Sequence, residues 1–143
     1  KEVSRLNRYG GSIAFIILDL DRFKDLNDHF GHLAGDKALA AVGALLRSRM
    51  RVSDIVGRYG GEEFCILLVD SELAEASLIA EDLRKRIERL EVEDSGKKIR
   101  ITASFGIAWA RGADGKVELE HLLSEADRAL YRAKEAGRNR VAS

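Results

Sequence analysis

Two adjacent glycines, Gly60 and Gly61, lie between a short strand-like stretch that ends at Tyr59 and an apolar run at residues 64–69. Glycine adopts positive φ without steric cost, and a type I′ turn needs that conformation at both central positions. The pattern therefore predicts a β-hairpin closed by a tight glycine turn. The rest of the chain has to be arranged around this hairpin.

Two carboxylates, Glu62 and Glu63, follow the turn directly and begin an otherwise apolar strand. A carboxylate at the mouth of a buried strand costs free energy unless it is paired, solvated or bound to a metal. A glycine turn also lets a phosphate approach the backbone, and a nearby carboxylate can hold the cation that accompanies it. The turn by itself favours an exposed hairpin tip with two surface glutamates, so a functional interpretation depends on the rest of the chain.

The remaining strands are predicted from continuous and alternating apolar patterns. Residues 13–18 are all apolar, which is typical of a strand covered on both faces. Residues 99–109 alternate, which indicates a half-buried strand, and residues 138–141 can add a short edge strand. A polar loop is expected over residues 93–98.

Helical patterns fill the intervals between these strands. Residues 1–9 have helical character, and Gly137 is placed to end the last helix. The other helices are predicted over residues 23–30, 36–50, 73–90 and 119–133. The order predicts an α+β fold, an antiparallel-centred β-α-β-β-α-β sheet of the palm-like (ferredoxin-like) kind with helices packed on it. In that topology Asp19, at the end of the first strand, lies near the hairpin.

The composition excludes several classes of protein. The 143 residues are the length of one domain, and 24 basic and 24 acidic residues cancel, so there is no global basic field that favours nucleic acid. The single cysteine, Cys65, excludes an internal disulfide and is typical of a reducing compartment such as the cytoplasm. The first long apolar run is far shorter than the roughly 20 residues that span a bilayer, so no membrane contact is expected.

Asp19 and Glu62 beside a glycine turn describe a site for metal-assisted phosphoryl transfer, because Mg²⁺ prefers a few carboxylates completed by substrate phosphates. Lys24 follows the first strand and is placed to neutralise phosphate charge. Lys134 and Arg138 could do the same, although by themselves these two residues favour a charge pair at a helix C-terminus.

Asn27 and Asp36 flank a stretch broken by two glycines. An amide and a carboxylate together can recognise guanine, since the carboxylate accepts hydrogen bonds from N1–H and the N2 amine. Helix capping by both residues is the alternative, and the two residues by themselves favour it. His29 and His32 are three residues apart, but no further His or Cys completes a metal site with them.

Four stretches resemble the motifs of GGDEF-domain diguanylate cyclases, in the form with GGEEF at the turn. They are RYGGEEF at residues 58–64, DLDRFKDLND at 19–28, FGHLAGD at 30–36, and ADRALYRAK with GRN at 126–139. They follow the family's order over nearly the whole chain. The family's usual DxLTGLxNR element is missing, which suggests a single GGDEF domain over residues 1–143 that is truncated at its N-terminus.

The resemblance implies a role for each matching residue. It implies that Asp19, the Leu20 carbonyl, Glu62 and Glu63 hold Mg²⁺ or Mn²⁺, and that Glu62 and Lys24 take part in catalysis. Substrate contacts are implied for Phe23, Asn27, His32, Asp36, Gly60, Gly61, Lys134 and Arg138. The implied reaction joins two GTP molecules into cyclic di-GMP between two facing domains of a homodimer.

The resemblance also implies regulation. Arg51 and Asp54 match the family's RxxD site, where cyclic di-GMP inhibits the enzyme. A loop salt bridge between them is the alternative, but five residues separate Asp54 from Gly60, and that spacing favours the inhibitory site. A sensor or receiver domain is expected before Lys1 in the full protein. The main alternative is a degenerate GGDEF domain that only binds GTP or cyclic di-GMP and regulates a neighbour. Another cyclase or polymerase of this topology, or a dimerisation module, fits the residues less well.

Overall fold

The computed structural model describes residues 11–112 and 117–143. The elements in chain order are β1 (Ser12–Leu20), α1 (Phe23–Phe30), α2 (His32–Ser48), β2 (Ile55–Arg58), β3 (Glu63–Val69), α3 (Leu73–Arg89), β4 (Val92–Asp94), β5 (Lys97–Ile99), β6 (Ala103–Arg111), α4 (Leu119–Glu135) and β7 (Val141–Ala142). The helical character predicted for residues 1–9 lies outside the described residues.

Five strands form the main sheet in the order β2-β3-β1-β6-β7. β1 is central and antiparallel to both β3 and β6, while β7 runs parallel to β6. This arrangement confirms the predicted α+β fold and its β-α-β-β-α-β order. It also confirms that β1 is buried along its whole length.

Helices cover both faces of the sheet. Alternate β1 residues, including Ile16 and Leu18, pack in a core with α1, α2 and α3, whereas Phe15 and Ile17 face α4. α4 lies directly on β6 at Gly106, where an added Cβ would come within 2.3 Å of the backbone of α4. The glycine therefore allows a close approach that no other residue permits.

β6 differs from its prediction. It begins at Ala103 rather than Ile99, and its first six residues are buried instead of alternating between core and solvent. The reason is that α3 and α4 cover its two faces, so the polar Ser104 is enclosed as completely as its apolar neighbours.

The predicted loop at residues 93–98 is wrong, because β4 and β5 pair there as a small antiparallel hairpin. Its two turn residues, Ser95 and Gly96, have φ of 52° and 78°. Positive φ at both positions is the type I′ conformation that the sequence predicted for Gly60 and Gly61. Strands of three residues carry too little apolar pattern to be recognised in the sequence.

The type I′ turn predicted at Gly60 and Gly61 is also wrong, since neither residue has positive φ. The last pair of the ladder joins Arg58 to Phe64, so five residues lie between the two members of this pair. The backbone N–H groups of Tyr59 and Gly60 both donate to the Glu63 carbonyl, at 2.8 and 3.4 Å. The hairpin itself is confirmed, but its turn is wider than a two-residue turn.

Candidate functional site

The ladder between β1 and β3 brings the predicted acidic residues together. Asp19 lies directly opposite Glu63 in the antiparallel register. One residue further on, the Leu20 N–H donates to the Glu62 carbonyl at 3.2 Å. The prediction that Asp19 lies beside the hairpin glutamates is therefore confirmed.

A cleft of about 160 Å³ opens at this end of β1. Its lining residues are Asp19, Leu20, Asp21, Arg22, Phe23, Lys24, Glu62, Lys134 and Arg138. We call it the β1 cleft. Three carboxylates and the three predicted phosphate-binding cations thus border the same small space, although they come from distant parts of the sequence.

Asp19 has one occupied and one free carboxylate oxygen. The Lys134 ammonium donates to Oδ2, which links α4 to the end of β1. Oδ1 is buried and accepts no hydrogen bond from any of the residues that the structure describes. A buried anionic oxygen without a donor is costly, so this atom is suited to a ligand that supplies positive charge.

The two hairpin glutamates share an environment that disfavours their charged forms. Burial is the main cause that raises the pKa of Glu62, and the negative charge of Asp19 raises it further. The pKa of Glu63 is raised by the same two effects. Lys134 opposes both shifts but does not cancel them. Burial and the nearby Asp19 carboxylate therefore both disfavour the charge on these glutamates, and a bound cation would relieve that cost.

Within the described residues, no three Asp, Glu, His or Cys side chains form a ready-made metal site. Mg²⁺ usually takes only one or two carboxylates and completes its shell with water and substrate phosphates. The free Oδ1 of Asp19 and the neighbouring Glu62 provide that kind of donor set. The residues present therefore fit a divalent cation that arrives with a phosphorylated ligand.

A second buried oxygen without a donor lies on α1. Asn27 Oδ1 is buried and accepts no hydrogen bond from the described part of the chain. It lies against Gly35, where an added Cβ would be only 1.8 Å away, and the Phe23 ring would be at 3.1 Å. Gly35 is therefore needed for Asn27 and Phe23 to occupy these positions.

The capping alternative for Asn27 and Asp36 is wrong. Asn27 lies in the middle of α1, and α2 begins at His32, four residues before Asp36. The predicted start of α2 at Asp36 missed its first turn because Gly31 and Gly35 suggested a loop. His32 and Asp36 are both exposed and one helical turn apart, so they share a side of α2.

Asp36 also borders a second cleft, of about 300 Å³, between α2 and the hairpin. Arg58 and Phe64 line the opposite side of this cleft. Asn27 is not among the residues that line this second cleft.

The two predicted cations near the C-terminus do not share a helix. α4 ends at Glu135, and Arg138 lies beyond it with φ of 64°. The explanation by a helix C-terminus therefore holds for Lys134, which lies in the last turn of α4, but not for Arg138. Lys134 pairs with Asp19, and Arg138 reaches the β1 cleft from the turn after the helix.

Comparison with known proteins decides the family. The family described as "Diguanylate cyclase, GGDEF domain" matches residues 1–140. The chain belongs to the GGDEF family. Two diguanylate cyclases are similar to it: DgcP of Pseudomonas aeruginosa, 43% identical over 141 residues, and VdcA of Vibrio cholerae, 44% identical over 135 residues.

The chain covers only part of these relatives. Its match spans 99% of the chain but 21% of DgcP, and 92% of the chain but 39% of VdcA.

Solved structures agree with the fold. The GGDEF domain of DgcB from Caulobacter crescentus in complex with c-di-GMP has a TM-score of 0.91 at 27% identity, covering 99% of this chain and 80% of that one. The active GGEEF domain of a Vibrio cholerae diguanylate cyclase has a TM-score of 0.88 at 31% identity, covering 99% and 88%.

Arg51 and Asp54 of this GGDEF domain lie far from the β1 cleft. The Arg51 guanidinium forks onto both Asp54 oxygens, at 3.1 and 3.0 Å, and also donates to the Val69 carbonyl and to Ser71 Oγ. The pKa of Arg51 is raised chiefly by its hydrogen bond to Asp54. The loop salt bridge that the sequence allowed is therefore present.

Arg58 and Asp21 have contacts that the sequence analysis did not predict. Arg58 donates to the Gly60 and Gly61 carbonyls at 3.4 and 2.6 Å and lies over the Phe64 ring. It thereby holds the glycine turn in shape. The Arg58 contacts could have been predicted, because an arginine next to a turn can donate to the turn's carbonyls. Asp21 accepts hydrogen bonds from Thr102, Ser104 and Asn139, which lie too far along the chain for the sequence to indicate them.

Proposed function

We propose that this chain is a single diguanylate cyclase catalytic domain, which condenses two GTP molecules into cyclic di-GMP by metal-assisted phosphoryl transfer in a homodimer. The observation that carries the proposal is the β1 cleft. There the free, buried Oδ1 of Asp19 lies near Glu62, and Lys24, Lys134 and Arg138 border the same space. Membership of the GGDEF family supports this assignment.

GGDEF diguanylate cyclases are metal-dependent. In this chain Asp19, the Leu20 carbonyl, Glu62 and Glu63 would hold Mg²⁺ or Mn²⁺. A bound cation supplies positive charge that neutralises the phosphates. Around it, Lys24, Lys134 and Arg138 bind the triphosphate, and Gly60 and Gly61 leave room for it beside the backbone.

Glu62 accepts the proton of the ribose 3′-hydroxyl in this proposal. Its carboxylate borders the β1 cleft, in the same small space as the residues proposed to bind the triphosphate, which supports this role. Lys24 is exposed at the start of α1 and is placed to stabilise the charge that develops on the transferred phosphoryl group.

Guanine is recognised by Asn27 and Asp36, with Phe23 and His32 lining the base site. The buried free oxygen of Asn27 supports this, because a guanine amine would supply the donor that it lacks. Adenine presents an acceptor at N1 where guanine presents a donor, so ATP would leave the Asp36 carboxylate without a partner.

The reaction needs two domains, because each binds one GTP.

In the proposal, Arg51 and Asp54 form the inhibitory site for cyclic di-GMP, at the end of β3 opposite the catalytic glutamates. Arginine forks bind phosphate or guanine edges well, which supports this. A neighbouring DgcB structure contains c-di-GMP. A preceding sensor or receiver domain would control the dimer, and the cytoplasm would supply GTP.

Within residues 11–112 and 117–143, no helix combines the length and the apolar character needed to cross a bilayer. The proposal includes no nucleic-acid partner and no membrane contact by this domain.

The test is incubation with GTP and Mg²⁺ or Mn²⁺ over a dilution series, followed by identification of the products by mass spectrometry. We expect cyclic di-GMP, with specific activity that rises with protein concentration. Binding of cyclic di-GMP or GTP without turnover, at every protein concentration in the series, would instead indicate the degenerate regulatory domain. ATP in place of GTP serves as the control and should give no product.

A further inference from the structure

Asp21 lies two residues after Asp19, yet its carboxylate is fully occupied. Ser104 Oγ donates to Oδ1 at 2.7 Å. Oδ2 accepts from Thr102 Oγ1 at 2.7 Å and from the backbone N–H of Asn139 at 3.0 Å. Asp21 thus differs from Asp19, which keeps one oxygen free, and it is suited to holding protein groups rather than a ligand.

The Asn139 N–H belongs to an unfavourable turn. Arg138 and Asn139 have φ of 64° and 46°, so two consecutive residues other than glycine are left-handed. That conformation persists only where surrounding contacts hold it. On the other side of the turn, the Asn139 side chain accepts from Arg84 at 2.8 Å and donates to Glu88 at 2.9 Å, both on α3.

Arg138 borders the β1 cleft together with Asp21. We infer that Asp21 is a positioning residue, which acts through the Asn139 N–H to hold the left-handed turn and so directs Arg138 towards the phosphates of GTP. This inference rests on the proposed function, because it assigns GTP to the β1 cleft.

A purely structural role makes a different prediction. If Asp21 only ties β1 to β6 through Thr102 and Ser104, its loss would weaken the fold and affect all ligands alike. If it acts through Arg138, its loss should weaken phosphate binding and leave the base site unchanged. The effects of removing Asp21 and Arg138 should then not add.

The experiment is calorimetry on the full 143-residue chain with a non-hydrolysable GTP analogue and Mg²⁺, repeated with guanosine. The variants are Asp21→Ala, Arg138→Ala and the double variant. We expect each single change to weaken binding of the analogue about tenfold, the loss of one charge-assisted contact. The double variant should be no weaker than either single one, and guanosine binding should stay unchanged.

Ser104→Ala is the matched control, since it removes one partner of Asp21 but keeps the Asn139 contact, and it should change binding less than about twofold. If Asp21→Ala does not fold, Asp21→Ser keeps a hydroxyl at this position but removes the carboxylate oxygen to which the Asn139 N–H donates, and it should show the same non-additivity with Arg138→Ala.

Additive losses of about a hundredfold in the double variant, or equal losses for guanosine and the GTP analogue, would overturn the inference while leaving the proposed function intact. A wild-type chain that binds no GTP analogue would overturn both.

Discussion

The two ends of the ladder between β1 and β3 are built in opposite ways. At the cleft end, defined by Asp19, Glu62 and Glu63, burial and like charge raise the pKa of both glutamates, and Asp19 keeps a free buried oxygen. At the far end, defined by Arg51, Asp54 and Ser71, the ionic and polar side chains form hydrogen bonds with one another. The ladder between them is about 20 Å long.

At the far end Arg51 makes four side-chain hydrogen bonds, and the Asp54 side chain is only 2% exposed. Trp109 adds a bond from its indole N–H to the Ser71 carbonyl. Groups satisfied in this way stabilise the fold, whereas unsatisfied groups are ready for a ligand. We therefore expect substitutions at the cleft end to affect catalysis more than stability, and substitutions at the far end to affect stability more than catalysis.

The largest effect is expected for Glu62→Gln. In the proposed function Glu62 is the base and also binds the metal, so its loss should lower kcat by about a hundredfold or more, roughly 3 kcal/mol, without lowering Tm. Steady-state rates of cyclic di-GMP formation and a melting curve measure both. Arg51→Ala, assayed at low product, is the far-end comparison and should keep a rate within a few-fold of wild type. A Glu62→Gln rate in that range would contradict the contrast between the ends.

A smaller effect is expected for Gly35→Ala, which extends the comparison to the base site. The added Cβ would overlap Asn27 Oδ1, so Asn27 and Phe23 must move, and GTP affinity should fall about tenfold. Gly57→Ala is the matched control, since its Cβ meets only Cys65 Sγ at 3.7 Å. Calorimetry with a GTP analogue should separate the two variants, and equal affinities would remove Asn27 from the base site.

Arg51→Ala should have its main effects on stability and on feedback. It leaves the buried Asp54 carboxylate short of hydrogen-bond donors. Because Arg51 is half-exposed, we expect the free energy of unfolding to fall by only about 1–2 kcal/mol, which lowers Tm by a few degrees. The proposed inhibitory site also predicts that cyclic di-GMP no longer slows the Arg51→Ala variant. Ser71→Ala is the control, since it removes one partner of Arg51 and should keep the inhibition. If Arg51→Ala shows the inhibition curve of wild type, the pair is only a loop salt bridge.

The smallest effect concerns pH. Because the folded pKa of Glu62 is raised, its contribution to stability is full below the ordinary glutamate pKa and is lost as the pH rises through the folded pKa. Glu62→Gln removes this loss. In EDTA the variant should melt slightly above wild type near pH 7 and equally near pH 4. A wild type that is more stable than the variant at about pH 7 would show that the Glu62 charge is compensated.

The sequence was sufficient for the ladder and for the meeting of its acidic residues. An apolar β1 had to be central, and the order of elements placed Asp19 beside the hairpin. It was not sufficient for the turn, because Arg58 donates to two turn carbonyls and holds a wider connection than two glycines suggest.

The least predictable features depend on distant partners. Asp21 is bound by Thr102, Ser104 and Asn139, at least 81 residues away, and no periodic pattern reports such contacts. The free oxygens of Asp19 and Asn27 could not be foreseen either, since a missing partner is visible only when the neighbouring side chains are placed.

The contrast between the two ends can be tested directly by paramagnetic relaxation with Mn²⁺. The amide spectrum of the chain would be recorded with a non-hydrolysable GTP analogue, with and without Mn²⁺ at low occupancy. We predict strong broadening for residues 19–24 and 60–63, and little for residues 51–54 and 69–71, which lie about 20 Å away. Glu62→Gln should weaken the broadening. Broadening centred on the far end, or none at the cleft end with the analogue bound, would contradict the account.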